Sequence, residues 1–592
     1  MSEPALTFPI DQTPAAPPAP AGAPTVERAA RTSFLGHAKL IGALTLVSRV
    51  LGLVREVVAG HYLGTGLVAS AFTVAFVVPN LFRKLFGEGA LSAAFIPLYA
   101  QSLKRDGEPE ANFFAASGFN MLCALLLALT VLGELALWLI LALGADSLRP
   151  ATLLTIKLTM IMLPYVLLIC GTAFLGGVLQ VHRRFGPPAA APVILNLCHI
   201  AVVFVGARML MLHLEKDPAR ALPLQTTLAY WLAAFVLVAG VLQVIVLLPA
   251  LRASGFRFHL SPEHWKWGTI LSPAVRRMLK LTVPVALGAG VLQLSVLLDK
   301  GISVLLMQGV DGAGNPVTHF SLFGHWVRYP LELGAPARLN LAQFLYQFPL
   351  GVFAIALATA IFPSLSAEAA DADPEKFKAV VRRGIEATLF EGLPATLGLI
   401  LVREPAVRLL FEHGHITAAD AEWISRSVLF YSMAIWAFSL QQIINRAYYA
   451  LHDTTTPLVM SIVTLGVNLV AELPLLWTRL GESGMAVGTA ASFTLQAVLM
   501  LYMLDRRVRG LGLGKLVKPV GTMLAATAVM AGVCWQLQRS PLYPRGDTRT
   551  IWTAQLLILM ATGAGVYFLC CALGGMNVLN HLRPKRANKS AT

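Results

Sequence analysis

The sequence predicts an all-α polytopic membrane protein of about fourteen transmembrane helices, arranged as two six-helix lobes plus two C-terminal helices. Three observations carry this. Of 592 residues, 56% are hydrophobic and 13% charged, with a mean hydropathy of +0.68, whereas soluble globular chains carry roughly 25% charge. The apolar runs far exceed the ~9–11 residues of a barrel strand and match the ~20 a helix needs to cross a bilayer. Lysine and arginine gather in alternate loops, as an orientation signal requires.

Taken in order, residues 1–33 form a Pro/Ala-rich tail without an apolar core. It reads as a disordered cytoplasmic extension and not as a secretory signal. Spans are expected near 38–62, 66–96, 113–144, 151–178, 187–211 and 226–250 for the first lobe. A second set is expected near 279–308, 339–365, 377–402, 424–450, 456–477 and 484–504, and a final pair near 517–537 and 551–574. The corresponding units are an N-terminal lobe over 34–252, a cytoplasmic linker over 253–278, a C-terminal lobe over 279–504, two extra helices over 505–575 and a basic cytoplasmic tail over 576–592.

Lys104/Arg105, His182/Arg183/Arg184, Arg252 through Lys280, Lys376 through Arg383, Arg506 through Lys518 and the terminal RPKRANK belong to one set of loops. The other set is poorer in cations, although Arg149, Lys216, Arg220 and Arg403 lie there. The first set is assigned to the cytoplasm, and an even number of spans places both termini there too. The net charge of +15 is thereby an orientation signal, and no nucleic-acid partner is expected. All six cysteines lie in apolar segments and have no zinc-type spacing,.

The spans repeat. Pro79…Pro97 in the second corresponds to FPLGVFAIALATAIFP (348–363) in the eighth. LQVHRRFGPPAAAPVILN (179–196), after the fourth, resembles YALHDTTTPLVMSIVTLGVN (449–468), after the tenth. Parallel six-helix repeats are a transporter architecture, with substrate held between the halves. An extracytoplasmic insertion, 309–338, interrupts the second half. Two readings stand for it: a segment lying on the membrane through Phe320, Phe323, Trp326 and Tyr329, or a tolerated insertion.

Charges inside the spans point to chemistry. The first span holds Arg49, Arg55 and Glu56; the second holds Arg83, Lys84 and Glu88. A charge at a helix centre costs ~2.5–3.5 kcal/mol on insertion scales. Lys84 and Glu88 are i,i+4 neighbours that can neutralise each other. Arg55 and Arg83 have no equally obvious local partner. Either the arginines reach an interface or charges on other helices, or they line a cationic cavity suited to a phosphate, whose oxygens match the guanidinium fork. In the second half, Asp299, Asn468, Glu472 and Thr489 offer hard oxygen ligands of the kind a small cation takes, while a structural Asp299–Lys300 pair or an interhelical pair is the alternative. With no catalytic set and no nucleotide-binding loop, an enzyme is not expected. Sodium or the membrane potential is left as the driving force, with no other cofactor.

SRVLGLVRE (48–56), AFTVAFVVPNLFRKLFGEGALSAAFIP (71–97), LLDKGI (297–302), LYQFPLGVFAIALATAIFPSLS (345–366) and YYALHDTTTP (448–457), in this order and spacing, resemble the MurJ/MviN family of lipid II flippases. The resemblance covers about residues 35–575. It implies two lobes in a V, with the last helix pair framing a groove for the polyprenyl tail, and transfer of undecaprenyl-diphosphate-linked peptidoglycan precursor across the bacterial inner membrane by a monomer among membrane lipids. By position it implies Arg49, Arg55, Arg83 and Glu88 as substrate-binding residues and Asp299, Asn468, Glu472 and Thr489 as a sodium site. Two positions depart from the family's pattern. Ser70 stands where an acidic residue is common, and Phe344 stands where an arginine is common, with Arg338 as a substitute cation at the cavity rim. The alternatives are export of another lipid-linked oligosaccharide and a membrane scaffold without transport.

Overall fold

The computed structural model describes residues 24–87, 90–211, 221–258, 265–311, 315–370 and 373–576. Glu88 and the terminal basic tail lie outside them. The first half contains α1 (Pro24–Leu63), α2 (Leu67–Phe82), α3 (Ala90–Arg105), α4 (Glu108–Gly144), α5 (Pro150–Met162), α6 (Tyr165–Val181), α7 (Gly186–Met211) and α8 (Ala221–Arg252). A short α9 (Trp267–Ile270) precedes the second half: α10 (Pro273–Leu305), α11 (Ala335–Pro349), α12 (Ile355–Ala370), α13 (Pro374–Phe411), α14 (Ala418–Ser432), α15 (Ile435–Ala450), α16 (Thr455–Leu476) and α17 (Ser483–Arg507). Helices α18 (Gly514–Arg539) and α19 (Arg549–Leu573) pack on each other and on α13. Helix α1 starts at Pro24, inside the segment expected to be a disordered tail.

Each of the fourteen expected intervals falls on a helix or a broken pair of helices, but fewer meet the length and hydropathy a span requires. Nine described helices are long and apolar enough to cross a membrane, and eleven when two bent pairs count as one span each. The remaining three intervals fall on α1, α10 and the α11–α12 pair. Lipid-facing character is plain on α4, where only 11% of the most apolar window is buried and Leu132, Leu135 and Trp138 are exposed.

The internal repeat is built into the backbone. A π-helical turn at Arg83–Gly87 interrupts the second span, and another at Leu350–Ala354 interrupts the eighth. The fourth and tenth spans are both bent, by 43° and 44°, at the α5–α6 and α14–α15 breaks. The two loops that match in sequence also match in geometry. Arg183 and His452 both adopt positive φ, 58° and 56°. Arg184 N–H donates to the Leu179 carbonyl at 2.8 Å, and Asp453 N–H to that of Tyr448 at 2.9 Å. These are left-handed helix ends of the Schellman type, built without glycine.

The insertion is not a featureless loop. Strand β1 (Gly309–Val310) pairs with β2 (Pro316–Val317), and β3 (His319–Leu322) with β4 (His325–Arg328), both antiparallel. The second hairpin turns through Phe323 and Gly324 at φ 50° and 82°, the positive angles that a two-residue hairpin loop demands. Phe323 and Trp326 are exposed, as expected. Phe320 and Tyr329 instead stack on each other, 4.7 Å between ring centroids, and Tyr329 is buried. They therefore do not present a face to lipid.

Candidate functional site between the two halves

The cavity of interest opens where α1 and α2 of the first half meet α11 of the second. It measures about 130 Å³, and its walls include Arg55, Glu56, Asn80, His199, Asn340 and Phe344. Arg55 is positioned from three sides. Its guanidinium pairs with Glu56 at 2.5 Å, donates to Asn196 Oδ1 at 3.3 Å and lies 5.6 Å over the Phe76 ring. Asn196 in turn donates to the Ser48 carbonyl at 2.9 Å, locking α7 to α1. Asn340 of the second half donates to the other oxygen of Glu56 at 3.3 Å. Glu56 is thus the partner of adjacent Arg55, a pairing that helical periodicity alone did not suggest.

Arg83 opens the π-turn, and its Nε donates to Asn80 Oδ1 at 2.9 Å. Asn80 lines the cavity, so Arg83 is connected to its wall. The π-turn also changes the phase of this helix. Glu88, and with it the expected Lys84–Glu88 pairing, falls outside the described residues. Lys84 is exposed, and Arg83 is half-buried.

Arg49 reaches across to the second half. A Cβ at Gly351, inside the other π-turn, would collide with the Arg49 guanidinium. Glycine at that position is what gives the arginine room. Phe344 lies against Gly52 of α1, its ring 3.6 Å from where a Cβ would stand. In place of a cation, this chain puts an aromatic wall between α1 and α11.

Arg338 does not serve as the substitute cation at the rim. It is buried, and it donates to Glu482 at 2.6 Å and to Asp420 Oδ1 at 3.1 Å. Asp420 is placed by a capping box at the start of α14: Thr417 accepts from Asp420 N–H, and Asp420 from Thr417 N–H at 3.1 Å,. The same carboxylate accepts from Thr65 of the first half at 2.7 Å. Beside it, His61 and His413 share a 2.9 Å Nδ1–Nδ1 contact, and His415 N–H donates to the His61 carbonyl at 3.0 Å. Left-handed Gly64, Gly334 and Gly414, with φ of 65°, 97° and 64°, permit this close approach. Together these contacts close one end of the cavity. Sequence reading missed the network because its members lie in four separate segments.

Of the four expected cation ligands, three converge. The Asn468 amide nitrogen stands 3.1 Å from Asp299 Oδ1 and 3.1 Å from Glu472 Oε2. Ser492 approaches Asn468 Oδ1 at 3.4 Å, whereas the Thr489 hydroxyl bonds the Met485 carbonyl of its own helix at 2.9 Å. Asp299 thus accepts from Asn468 across the α10–α16 contact, an interhelical pair, while Lys300 Nζ is buried without a hydrogen-bonding partner among the described residues.

A family model described as lipid II flippase MurJ matches residues 59–544. A probable lipid II flippase MurJ of Rhizobium tropici is 31% identical over 91% of this chain and 94% of its own length. A lipid II flippase MurJ of Burkholderia cenocepacia is 30% identical over 79% and 83%. Among solved structures, a lipid II flippase MurJ in an inward closed conformation superposes with a TM-score of 0.68 at 22% identity, covering 90% of this chain and 98% of that one. An inward-facing multidrug transporter of the MATE family superposes at 0.60 and 13% identity, covering 79% of this chain and 98% of that one. The MATE likeness shows the fold alone. With the family model matching most of its length, this chain belongs to the lipid II flippase MurJ family.

Proposed function

We propose that this chain is a lipid II flippase of the bacterial inner membrane. It moves undecaprenyl-diphosphate-linked precursor from the inner to the outer leaflet by alternating access, as a monomer with both termini in the cytoplasm. One observation carries the reading beyond family membership. Arg55 of α1 lines a cavity between two halves that touch through Glu56–Asn340 and Arg49–Gly351, and Arg83 of the π-turn is tied to its wall through Asn80. A diphosphate entering there must shed water, and guanidinium forks replace those hydrogen bonds. Phe76, Asn196 and Glu56 keep the fork of Arg55 preorganised. Glu56 also makes the empty site less costly, since its carboxylate offsets a buried cation. Glu88 belongs to the same stretch and stays a candidate contact by position.

Asp299, Asn468 and Glu472 are proposed to hold sodium, which would supply a fixed charge between α10 and α16. Two carboxylates supply the hard oxygens, and Glu472 Oε1 is buried without a hydrogen-bonding partner among the described residues; the Asn468 amide, whose nitrogen now donates to both carboxylates, would have to turn its oxygen inward to join them. Thr489 donates its hydroxyl to the Met485 carbonyl at 2.9 Å and keeps the oxygen lone pairs that a cation would use,.

Complementation of a flippase-depleted bacterium, read out as lipid II sidedness, tests the proposal. Restored outer-leaflet lipid II is expected. Growth rescue without lipid II transfer would favour another lipid-linked oligosaccharide as cargo, and neither would favour a scaffold.

A further inference from the structure

We propose that a second cavity, beneath the 309–338 hairpins, binds the saccharide-peptide headgroup once it has crossed; this deepens the translocation reading and rests on it. The cavity measures about 220 Å³, and its walls include Tyr329, Trp423, Trp477, Arg328, Arg479 and Glu332. It is separate from the central cavity, with Glu482 on its wall and Arg338 behind.

Its aromatic walls are fixed in advance. Arg426 lies 5.3 Å over the Trp423 ring and donates to the Arg479 carbonyl at 2.9 Å. Gly481, at a left-handed φ of 53°, lets the chain pass Trp423: a Cβ there would stand 3.4 Å from the indole. Trp477 donates through Nε1 to the Arg328 carbonyl at 3.2 Å, clipping the hairpin to the end of α16. Even so, Trp477 is 48% exposed, so its ring is not spent on packing.

Indole faces stack on the C–H faces of sugar rings, and two guanidinium groups at the rim take carboxylates such as those of a peptide stem. A phospholipid headgroup supplies the anion but no ring to stack. The cavity also shares Glu482 with the closure, because the carboxylate on its wall is the one that holds Arg338 at 2.6 Å. An occupant therefore acts directly on the contact that seals the central cavity.

The test is calorimetric binding of the soluble disaccharide-peptide, without lipid or diphosphate, to the full chain in nanodiscs. Saturable binding is expected, weakened at least tenfold in Trp477→Ala and in Arg479→Ala, retained in Arg55→Ala and not competed by inorganic diphosphate. Arg479 is exposed, and its side chain is free of the hairpin clip, so its variant keeps the test independent of folding. Absence of binding to a wild-type preparation that translocates lipid II would overturn the pocket and leave the flippase reading intact. Unchanged binding in both variants, competition by diphosphate, or displacement by phosphatidylglycerol in the bilayer would also overturn it. Headgroup binding by a wild-type preparation that moves no lipid II would support the pocket and overturn the flippase reading instead.

Discussion

Arg49, Arg55 and Arg83 share a side chain but not an environment. Arg55 is held by Glu56, Asn196 and Phe76; Arg83 is tied to Asn80; Arg49 lies over Gly351 in the other half. The sequence made the arginines legible, because guanidinium groups in apolar runs are costly and must be accommodated. Their partners were not legible. Glu56 is adjacent in sequence and meets Arg55 through rotamer choice, and Asn196 and Asn340 come from distant helices. Gly351 offers a sharp test. The atoms that a Cβ would strike belong to the flexible end of Arg49, so Gly351→Ala should displace the guanidinium at little cost in stability. We expect flipping to fall several-fold at unchanged membrane abundance and melting temperature. Wild-type flipping in Gly351→Ala would remove Arg49 from the mechanism.

At the scale of elements, the closure built by Arg338, Glu482, Asp420 and Thr65 is the part that sequence periodicity could not reveal. Breaking a buried ion pair by removing one partner typically costs about 3–5 kcal/mol, while replacing both by apolar groups is often neutral. Glu482→Gln should therefore lower thermal stability markedly and raise labelling of a single cysteine in the central cavity, and Arg338→Met with Glu482→Leu should recover the stability. Equal stability of Glu482→Gln and wild type would show that the pair is dispensable. The neighbouring histidines add a pH dependence. Burial lowers the pKa of His413, with Arg549 acting in the same direction. A depressed folded value means that the contribution is present above the unfolded value of roughly 6.5 and is lost as pH falls through the folded one. The 2.9 Å contact with His61 accommodates one proton between its two nitrogens, not two. Spin labels at Gly66 and Ala419 should thus separate when pH drops from about 7.5 to about 5, and His413→Phe should flatten the response.

For the whole molecule, the repeat was the most legible feature. Proline spacing and the matching 179–196 and 449–468 segments showed the repeat; the paired π-turns, the paired bends and the left-handed residues at Arg183 and His452 are the backbone form it takes. The number of spans was less so: a π-turn at Leu350–Ala354, which periodicity does not announce, splits the eighth into helices of 15 and 16 residues. The hairpins of the insertion escaped notice because strands this short carry little periodicity. Sidedness follows from loop charge, and it predicts that single cysteines in 309–338 and in 505–518 react with an impermeant thiol reagent from opposite faces. Labelling of both from outside would contradict the assigned topology. The central claim is that guanidinium groups at the inter-half cavity receive the diphosphate. Its most direct test is lipid II transfer in proteoliposomes by Arg49→Ala, Arg55→Ala and Arg83→Ala, matched for reconstituted amount. The account predicts a loss of at least tenfold in Arg55→Ala and Arg83→Ala, with Arg83→Lys impaired because charge without the bidentate fork is insufficient. Wild-type transfer in all three alanine variants would contradict it.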